Sequence, residues 1–146
     1  TLVAVMGPSG CGKTTLLNTL TGKAVYGDRT GKVLINNVDR PLESLQKVVG
    51  FVPQDDTVFS QLTVRENLSF SARLRLPTES ACDKMKMNAI VNGAIQVLGL
   101  EAQQNAIVGS VEKRGISGGQ KKRVNIGVEL VADPTLLFLD EPTSGL

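Results

Sequence analysis

Short apolar runs alternate along the chain with segments that repeat apolar residues at helical spacing. Residues 2–5 form an apolar run that predicts a buried strand, and the leucines within residues 14–20 predict a helix soon after it. Gly22 follows that helix at a position where glycine commonly ends one. The N-terminal segment is therefore predicted to fold as strand, loop and helix.

Further strands are predicted from short apolar runs bounded by turn residues. They cover residues 32–35, 48–52 and 136–139. Asn36-Asn37 predicts a turn after the first of these strands, and Pro53 ends the second. The run at 136–139 contains only apolar residues, which is typical of a parallel strand covered on both faces, so we expect it to be fully buried.

The middle and the C-terminal part of the chain carry helical patterns. Thr63 with Glu66 is a capping-box pattern that predicts a helix over residues 64–74, and apolar residues at three- and four-residue steps predict a longer helix over 79–98. Ser117 with Gln120 repeats the capping-box pattern and opens a helix that runs through residue 131. We interpret residues 59–100 as a mostly helical insertion.

Composition narrows the function classes only slightly. The 146 residues are 41% hydrophobic and 21% charged, which fits one ordinary globular domain. Sixteen basic against fourteen acidic residues give a net charge of +2, too small to indicate nucleic-acid binding. Cys11 and Cys82 lie far apart, which argues against a disulfide framework or a zinc site and favours a reducing compartment. No apolar run approaches the ~20 residues of a membrane helix.

The strongest chemical signal is a glycine-rich loop between the first predicted strand and the first predicted helix. It matches the pattern GxxxxGK[ST] and consists of Gly7, Pro8, Ser9, Gly10, Cys11, Gly12, Lys13 and Thr14. Backbone N–H groups of such a loop surround phosphate oxygens, and the helix N-terminus adds to the attraction. We expect Lys13 to reach the β- and γ-phosphates, Thr14 to bind Mg²⁺ and Thr15 to contact an α-phosphate. The alternative is a glycine-rich turn without a ligand.

Two adjacent carboxylates follow the last predicted strand. Asp140 and Glu141 stand at its carboxyl end, the edge at which open α/β sheets bind ligands. We expect Asp140 to hold Mg²⁺ through a water molecule and Glu141 to polarise the water that attacks the γ-phosphate. Taken alone, the pair fits a solvated acidic loop as well, and the phosphate loop is what favours the catalytic interpretation.

The segment Ile116-Ser117-Gly118-Gly119-Gln120 offers a second anion site on a different element. Ser117 caps a helix N-terminus and the two glycines allow close backbone approach, although an ordinary helix cap would look the same. The segment resembles the signature motif of ATP-binding cassette (ABC) proteins, with Ile116 in place of the usual leucine. In that family, the signature motif of one domain completes the phosphate-loop site of another.

Other segments extend the resemblance over nearly the whole chain. Val52-Pro53-Gln54-Asp55 resembles the family's Q-loop, which implies that Gln54 contacts Mg²⁺ and the attacking water, and residues 143–146 resemble the start of the D-loop. Subfamily G, the White/pleiotropic-drug-resistance group with the plant white-brown-complex half transporters, is the most similar in residues 63–73, 114–123 and 125–146. Asn105 departs from that group's usual aspartate.

The resemblance implies an α/β fold: a P-loop core on a mostly parallel sheet, a small antiparallel portion and a helical subdomain at about 59–130. It implies ATP and Mg²⁺ as ligands, a second nucleotide-binding domain in a homo- or heterodimer, and a transmembrane domain in the same full-length chain. The cassette would lie on the cytoplasmic face of a membrane and power transport of a lipidic or other hydrophobic substrate, without nucleic acid.

Both ends of the chain fall inside expected elements, so we interpret residues 1–146 as one nucleotide-binding domain truncated at both ends. The adenine-stacking aromatic and the switch histidine of the family are not in the sequence, and Tyr26 is not promoted to the stacking role. We therefore expect weak hydrolysis by this chain alone. The alternatives are a soluble ABC ATPase without transport and a regulatory module that binds ATP without turnover. We further expect alkylation of Cys11 to block ATP and residues 121–123 to form a solvated basic face.

Overall fold

The computed structural model describes residues 1–24, 27–28, 30–39, 48–110 and 112–144. The helices are α1 (Lys13–Leu20), α2 (Val64–Arg75), α3 (Thr78–Cys82), α4 (Lys84–Val97) and α5 (Gly118–Leu130). The strands are β1 (Leu34–Ile35), β2 (Val38–Asp39), β3 (Val49–Val52) and β4 (Leu136–Leu139). Along the chain, α1 precedes three strands, the other four α-helices follow together, and β4 comes last. Tyr26 and the last two residues of the D-loop segment, 145–146, lie outside the described residues.

The strands form one antiparallel and one parallel pair, as predicted in kind. β1 and β2 pair antiparallel across a turn in which Asn36 and Asn37 have φ angles of 51° and 63°. Asparagine tolerates this left-handed backbone, which two-residue hairpin turns require. β3 and β4 run parallel, with Val49 opposite Leu136 and Val52 opposite Leu139. This pairing brings the carboxyl ends of two strands that are distant in sequence to one edge.

Two expectations about strands are wrong. Residues 2–5 form no strand: Leu2 is 94% exposed and Val5 is 46% exposed. Strand β4 is not fully buried, because Leu136 is 50% exposed. The physical reason is the same in both cases. An apolar run becomes a buried strand only where neighbouring strands pair with its backbone and other elements cover its faces. Within the described residues, β4 pairs with β3 alone and residues 2–5 pair with no strand.

Two helices begin at the capping boxes that the sequence predicts. The Thr63 hydroxyl accepts a hydrogen bond from the Glu66 N–H, and the Glu66 carboxylate accepts one of 2.8 Å from the Thr63 N–H. Hydrogen bonds from the backbone and hydroxyl of Thr63 hold the pKa of Glu66 below its usual value of 4.5. Ser117 and Gln120 make the same reciprocal pair at the start of α5. Local side-chain chemistry therefore fixes both helix starts.

The long helix predicted over residues 79–98 is in fact two helices, α3 and α4. The break falls at Asp83, whose carboxylate accepts hydrogen bonds from the N–H groups of Met85 at 3.0 Å and Lys86 at 3.2 Å. An aspartate that caps a new helix in this way satisfies N–H groups that a continuous helix would have paired internally. Gly99, with a φ of 61°, ends the second helix as expected.

The main core lies between α2, α4 and α5. Leu68, Val91 and Val124, one from each helix, are fully buried in it. α5 approaches the other two helices closely because Gly127 has no side chain: a Cβ there would lie 2.8 Å from methyl groups of both Leu68 and Leu98. This contact fixes the position of α5. Among the described residues, no helix has the length and apolar character needed to cross a membrane.

Candidate functional site

The glycine-rich loop has the backbone shape that its glycines allow. Gly10 and Gly12 have φ angles of 78° and 95°, a region that side chains disfavour, and Gly12 caps the N-terminus of α1. The Lys13 ammonium folds over the loop and donates hydrogen bonds of 3.0 Å to the carbonyl oxygens of Gly7 and Pro8. Lys13 therefore stands at the mouth of the loop, beside the N-terminus of a helix, where an anion is favoured.

The rest of the loop is open to solvent. Ser9 and Cys11 are exposed, and Thr15 is exposed in the first turn of α1. Gly7 faces Cys11 so closely that a Cβ on Gly7 would lie 2.6 Å from the Cys11 sulfur. The loop is thus tightly curled and open to solvent, so a phosphate group can reach its backbone N–H groups.

Thr14 and Asp140 join the loop to the end of the parallel strand pair. The Thr14 hydroxyl donates a hydrogen bond of 3.1 Å to Asp140 Oδ1 across a separation of 126 residues. Asp140 is only 4% exposed, and its N–H donates to the carbonyl of Val52 at the end of β3. A hydroxyl and a carboxylate side by side are oxygen ligands of the kind that Mg²⁺ takes, so this donor pair fits the ion.

Gln54 and Glu141 meet at the same edge. The Gln54 side-chain N–H donates a hydrogen bond of 3.2 Å to the Glu141 carboxylate. Each residue lies two positions after the end of a strand, β3 for Gln54 and β4 for Glu141. Glu141 has a φ of 45°, in the left-handed region that costs a side chain about 1–3 kcal/mol. Strained backbone of this kind is common at functional sites. The structure therefore gathers Lys13, Thr14 and these two residues around one end of the sheet.

The signature segment lies apart from this group. Ser117, Gly118, Gly119 and Gln120 form the exposed or half-exposed first turn of α5, closed by the capping box. Within the described part of the chain, no hydrogen bond or ion pair joins this turn to residues 7–15. The chain thus presents the N-termini of α1 and α5 as two separate features.

The prediction of a solvated basic face at 121–123 is wrong for Lys122. Lys122 is 7% exposed and its ammonium donates a hydrogen bond of 2.6 Å to the carbonyl oxygen of Gln54. It also lies 2.9 Å from Asp56. Asn125, one turn further along α5, accepts hydrogen bonds from the backbone and hydroxyl of Thr57. Polar residues recur at three- and four-residue steps along α5, and this spacing is the sequence signal from which the contact could have been predicted.

With this geometry established, comparison with known proteins identifies the family. A profile described as "ABC transporter" matches residues 1–144. The chain belongs to the ABC transporter family. The matched range includes the glycine-rich loop, Gln54, the segment 116–120 and the two carboxylates after β4.

The similar proteins are members of subfamily G, which confirms the predicted resemblance. The chain is 56% identical over 143 residues to "ABC transporter G family member 28" of Arabidopsis thaliana, covering 98% of this chain and 13% of that protein. It is 51% identical over 145 residues to "ABC transporter G family member 25" of Oryza sativa subsp. japonica, covering 99% of this chain and 14% of that protein.

An animal relative is almost as similar. The chain is 48% identical over 145 residues to "Broad substrate specificity ATP-binding cassette transporter ABCG2" of Mus musculus, covering 99% of this chain and 22% of that protein. The chain thus spans between about an eighth and about a fifth of the length of these relatives. Its similarity to them concerns the ATP-binding segment of much longer proteins.

Proposed function

We propose that this chain binds and hydrolyses MgATP, and that the hydrolysis powers transport by the full-length protein. The observation that carries the proposal is the hydrogen bond between Thr14 and Asp140. It links the start of the phosphate-loop helix to the end of a parallel strand, with Gln54 and Glu141 paired beside it. Family membership supports the same reaction.

The loop and its lysine bind the triphosphate. Backbone N–H groups between Gly7 and Gly12, with the N-terminus of α1, surround phosphate oxygens, and the Lys13 ammonium leaves its carbonyl partners for the β- and γ-phosphates. Thr14 and Asp140 would hold Mg²⁺, which would neutralise negative charge on the phosphate oxygens. Thr15 contacts the α-phosphate.

Gln54 and Glu141 act on the attacking water. The Glu141 carboxylate accepts a hydrogen bond from the water and polarises the water molecule. Gln54 orients the water and the carboxylate. The catalysis is positioning and electrostatic stabilisation at the γ-phosphate, because phosphoryl transfer leaves little covalent chemistry for the protein to do. Glu141 projects from a strained backbone position beside the edge where these groups meet.

The site needs a second nucleotide-binding domain. The exposed turn Ser117–Gln120 has the features of an anion-binding helix terminus but lies apart from the phosphate loop of its own chain. In a homo- or heterodimer, each domain's signature turn would cover the phosphate loop of the other. We propose that residues 59–130 act as the helical subdomain that carries this turn, on the core formed by α2, α4 and α5.

The remaining parts of the proposal concern the full-length protein. It would carry a transmembrane domain in the same chain, so the cassette would lie on the cytoplasmic face of a membrane. A hydrophobic or lipidic substrate fits subfamily G, and the name of the murine relative describes broad substrate specificity for that protein.

The test is ATP hydrolysis by the purified full-length protein. Glu141→Gln should lower kcat at least about a hundredfold while ATP still binds, and Lys13→Ala should abolish ATP binding in calorimetry. Glu79→Gln and Lys84→Ala change exposed residues in the first turns of α3 and α4. They are the matched controls and should behave as the wild type does.

Each outcome discriminates between functions. Unchanged turnover in Glu141→Gln, with ATP bound by both proteins, would favour a regulatory module that does not use this carboxylate. ATP uptake that is insensitive to Lys13→Ala would refute the site itself. ATPase activity without hydrophobic spans elsewhere in the full-length sequence would favour a soluble ABC ATPase.

A further inference from the structure

A buried lysine of the signature helix reaches into the Q-loop. The Lys122 side chain is 9% exposed, and its ammonium lies between the Gln54 carbonyl, at 2.6 Å, and the Asp56 carboxylate, at 2.9 Å. The first contact is a hydrogen bond, whereas the second has the distance of an ion pair without hydrogen-bond geometry. A lysine is rarely buried unless it is paired, so the burial of Lys122 depends on these two contacts.

Two neighbouring side chains on the same face of α5 continue the contact. Asn125 binds the N–H and hydroxyl of Thr57, and Glu129 accepts a hydrogen bond of 3.1 Å from the Phe51 N–H. With Lys122, these residues recur at three- and four-residue steps, which places them on one helical face. The helix therefore contacts residues on either side of the Q-loop and, through Lys122, the Gln54 carbonyl within it.

The contact with Lys122 is closest to the chemistry. Lys122 binds the backbone of Gln54, and the side chain of that same residue donates to Glu141 at 3.2 Å. The backbone of a loop residue sets where its side chain can point. A loop released from Lys122 would therefore allow the Gln54 amide to leave the water-polarising carboxylate.

We propose that Lys122 is a positioning residue for ATP hydrolysis, and that its contact with the Gln54 carbonyl, supported by Asp56, holds the Q-loop amide beside Glu141. The inference rests on the proposed ATPase function and deepens it. Lys122 lies five residues after Ser117 on one helix, about 1.4 turns, so the signature turn and the Q-loop are tied to the same rigid element.

Steady-state ATPase kinetics of the full-length protein test this role. Lys122→Met should lower kcat between about tenfold and about a hundredfold, the effect of a catalytic group displaced by about 1 Å, and leave the KM for ATP within about twofold. Lys121→Met is the matched control: it changes the adjacent lysine, whose side chain makes no hydrogen bond or ion pair within the described residues, and should leave both constants unchanged.

A double variant separates positioning from stability. Lys122→Met leaves Asp56 partly buried without its partner, which can destabilise the fold by itself. Lys122→Met combined with Asp56→Leu removes both charges and should restore the thermal midpoint, because an apolar pair replaces a buried ion pair at little cost. The Gln54 carbonyl still lacks its donor, so kcat should stay low in the folded double variant.

The possible results are decisive. A double variant with wild-type stability, unchanged KM and low kcat supports the positioning role. Recovery of kcat together with stability overturns it and leaves Lys122 a structural residue. A loss of ATP affinity as large as the loss of kcat also overturns the positioning role. If the wild-type protein shows no ATP hydrolysis that Glu141→Gln abolishes, the proposed function itself fails. No result of the Lys122 variants alone looks like this, so the two failures are distinguishable.

Discussion

Replacement of Gly115 by alanine should displace the signature turn without touching it. Gly115 lies two residues before Ser117 and packs against backbone: an added Cβ would overlap the carbonyl oxygens of Ile107 and Val108. A side chain can rotate away from a clash, but a backbone carbonyl held in a folded segment cannot. The segment that leads into α5 must therefore separate from residues 107–108.

The expected cost follows from the contacts that this separation breaks. The Ile116 N–H donates a hydrogen bond of 3.2 Å to the Val108 carbonyl oxygen. The Ser110 N–H donates one of 2.8 Å to the Lys113 carbonyl oxygen. Two hydrogen bonds at about 0.5–1.5 kcal/mol each, with overpacking strain of about 1–3 kcal/mol, give about 2–6 kcal/mol. By the lower figure, the Ile116 amide should exchange with solvent about 30-fold faster.

Hydrogen exchange of the full-length protein, read at residues 107–116, measures this effect alongside ATP hydrolysis. Gly93→Ala is the matched control, since Gly93 is exposed within α4 and a Cβ there would meet nothing within 4 Å. The free energy of unfolding of that variant should rise by up to about 1 kcal/mol, because alanine is the better helix former. Wild-type protection and wild-type activity in Gly115→Ala would refute the packing argument.

Two further predictions concern the phosphate loop and the cap of α2. Maleimide should label Cys11 more slowly when MgATP is present, because the residue lies in the loop, while exposed Cys82 labels at the same rate with and without nucleotide; equal slowing at both sites, or at neither, would contradict this. For Glu66, the folded pKa is lowered, so the capping box contributes fully above the unfolded value of 4.5 and is lost as the pH falls through the lower folded pKa. Exchange of first-turn amides in α2, corrected for intrinsic rates, should therefore rise on acidification in the wild type and less so in Glu66→Gln. Identical pH profiles would show that the carboxylate does not cap the helix.

Local signals in the sequence predicted the helices well. The Thr63 and Ser117 capping boxes placed the starts of α2 and α5, and each helix ends within a residue of the predicted bound. A capping box involves only four consecutive residues, so its energy does not depend on the rest of the fold. The same locality explains the helix that follows Gly12.

Long-range effects limited the rest. The apolar run at residues 2–5 carries a strand pattern, but a pattern cannot supply the neighbouring strand that the backbone needs. The apolar spacing on either side of Asp83 favoured one helix, whereas the Asp83 side chain caps a second helix in the structure. In both cases, the apolar residues have the spacing of the predicted element. Hydrogen bonds that this spacing does not encode decided which element formed.

The candidate site shows the same division. Motif spacing identified the loop and the two strand-end carboxylates, because each motif is short. The neighbourhood of Lys122 and Asp56 was missed, since a lysine in a run of basic residues usually faces solvent and the partner lies 66 residues earlier. Such pairs depend on how α5 crosses the Q-loop, which no local pattern records.

The left-handed backbone at Glu141 sets protein stability against activity at one residue. Glycine would adopt the φ of 45° without strain, whereas glutamate pays about 1–3 kcal/mol to be there. Selection of stable variants in a screen that does not monitor ATP turnover should therefore enrich glycine or asparagine at this position and abolish the proposed ATP hydrolysis. A stabilised version of this chain that is meant to keep the proposed ATP hydrolysis should therefore retain glutamate at residue 141.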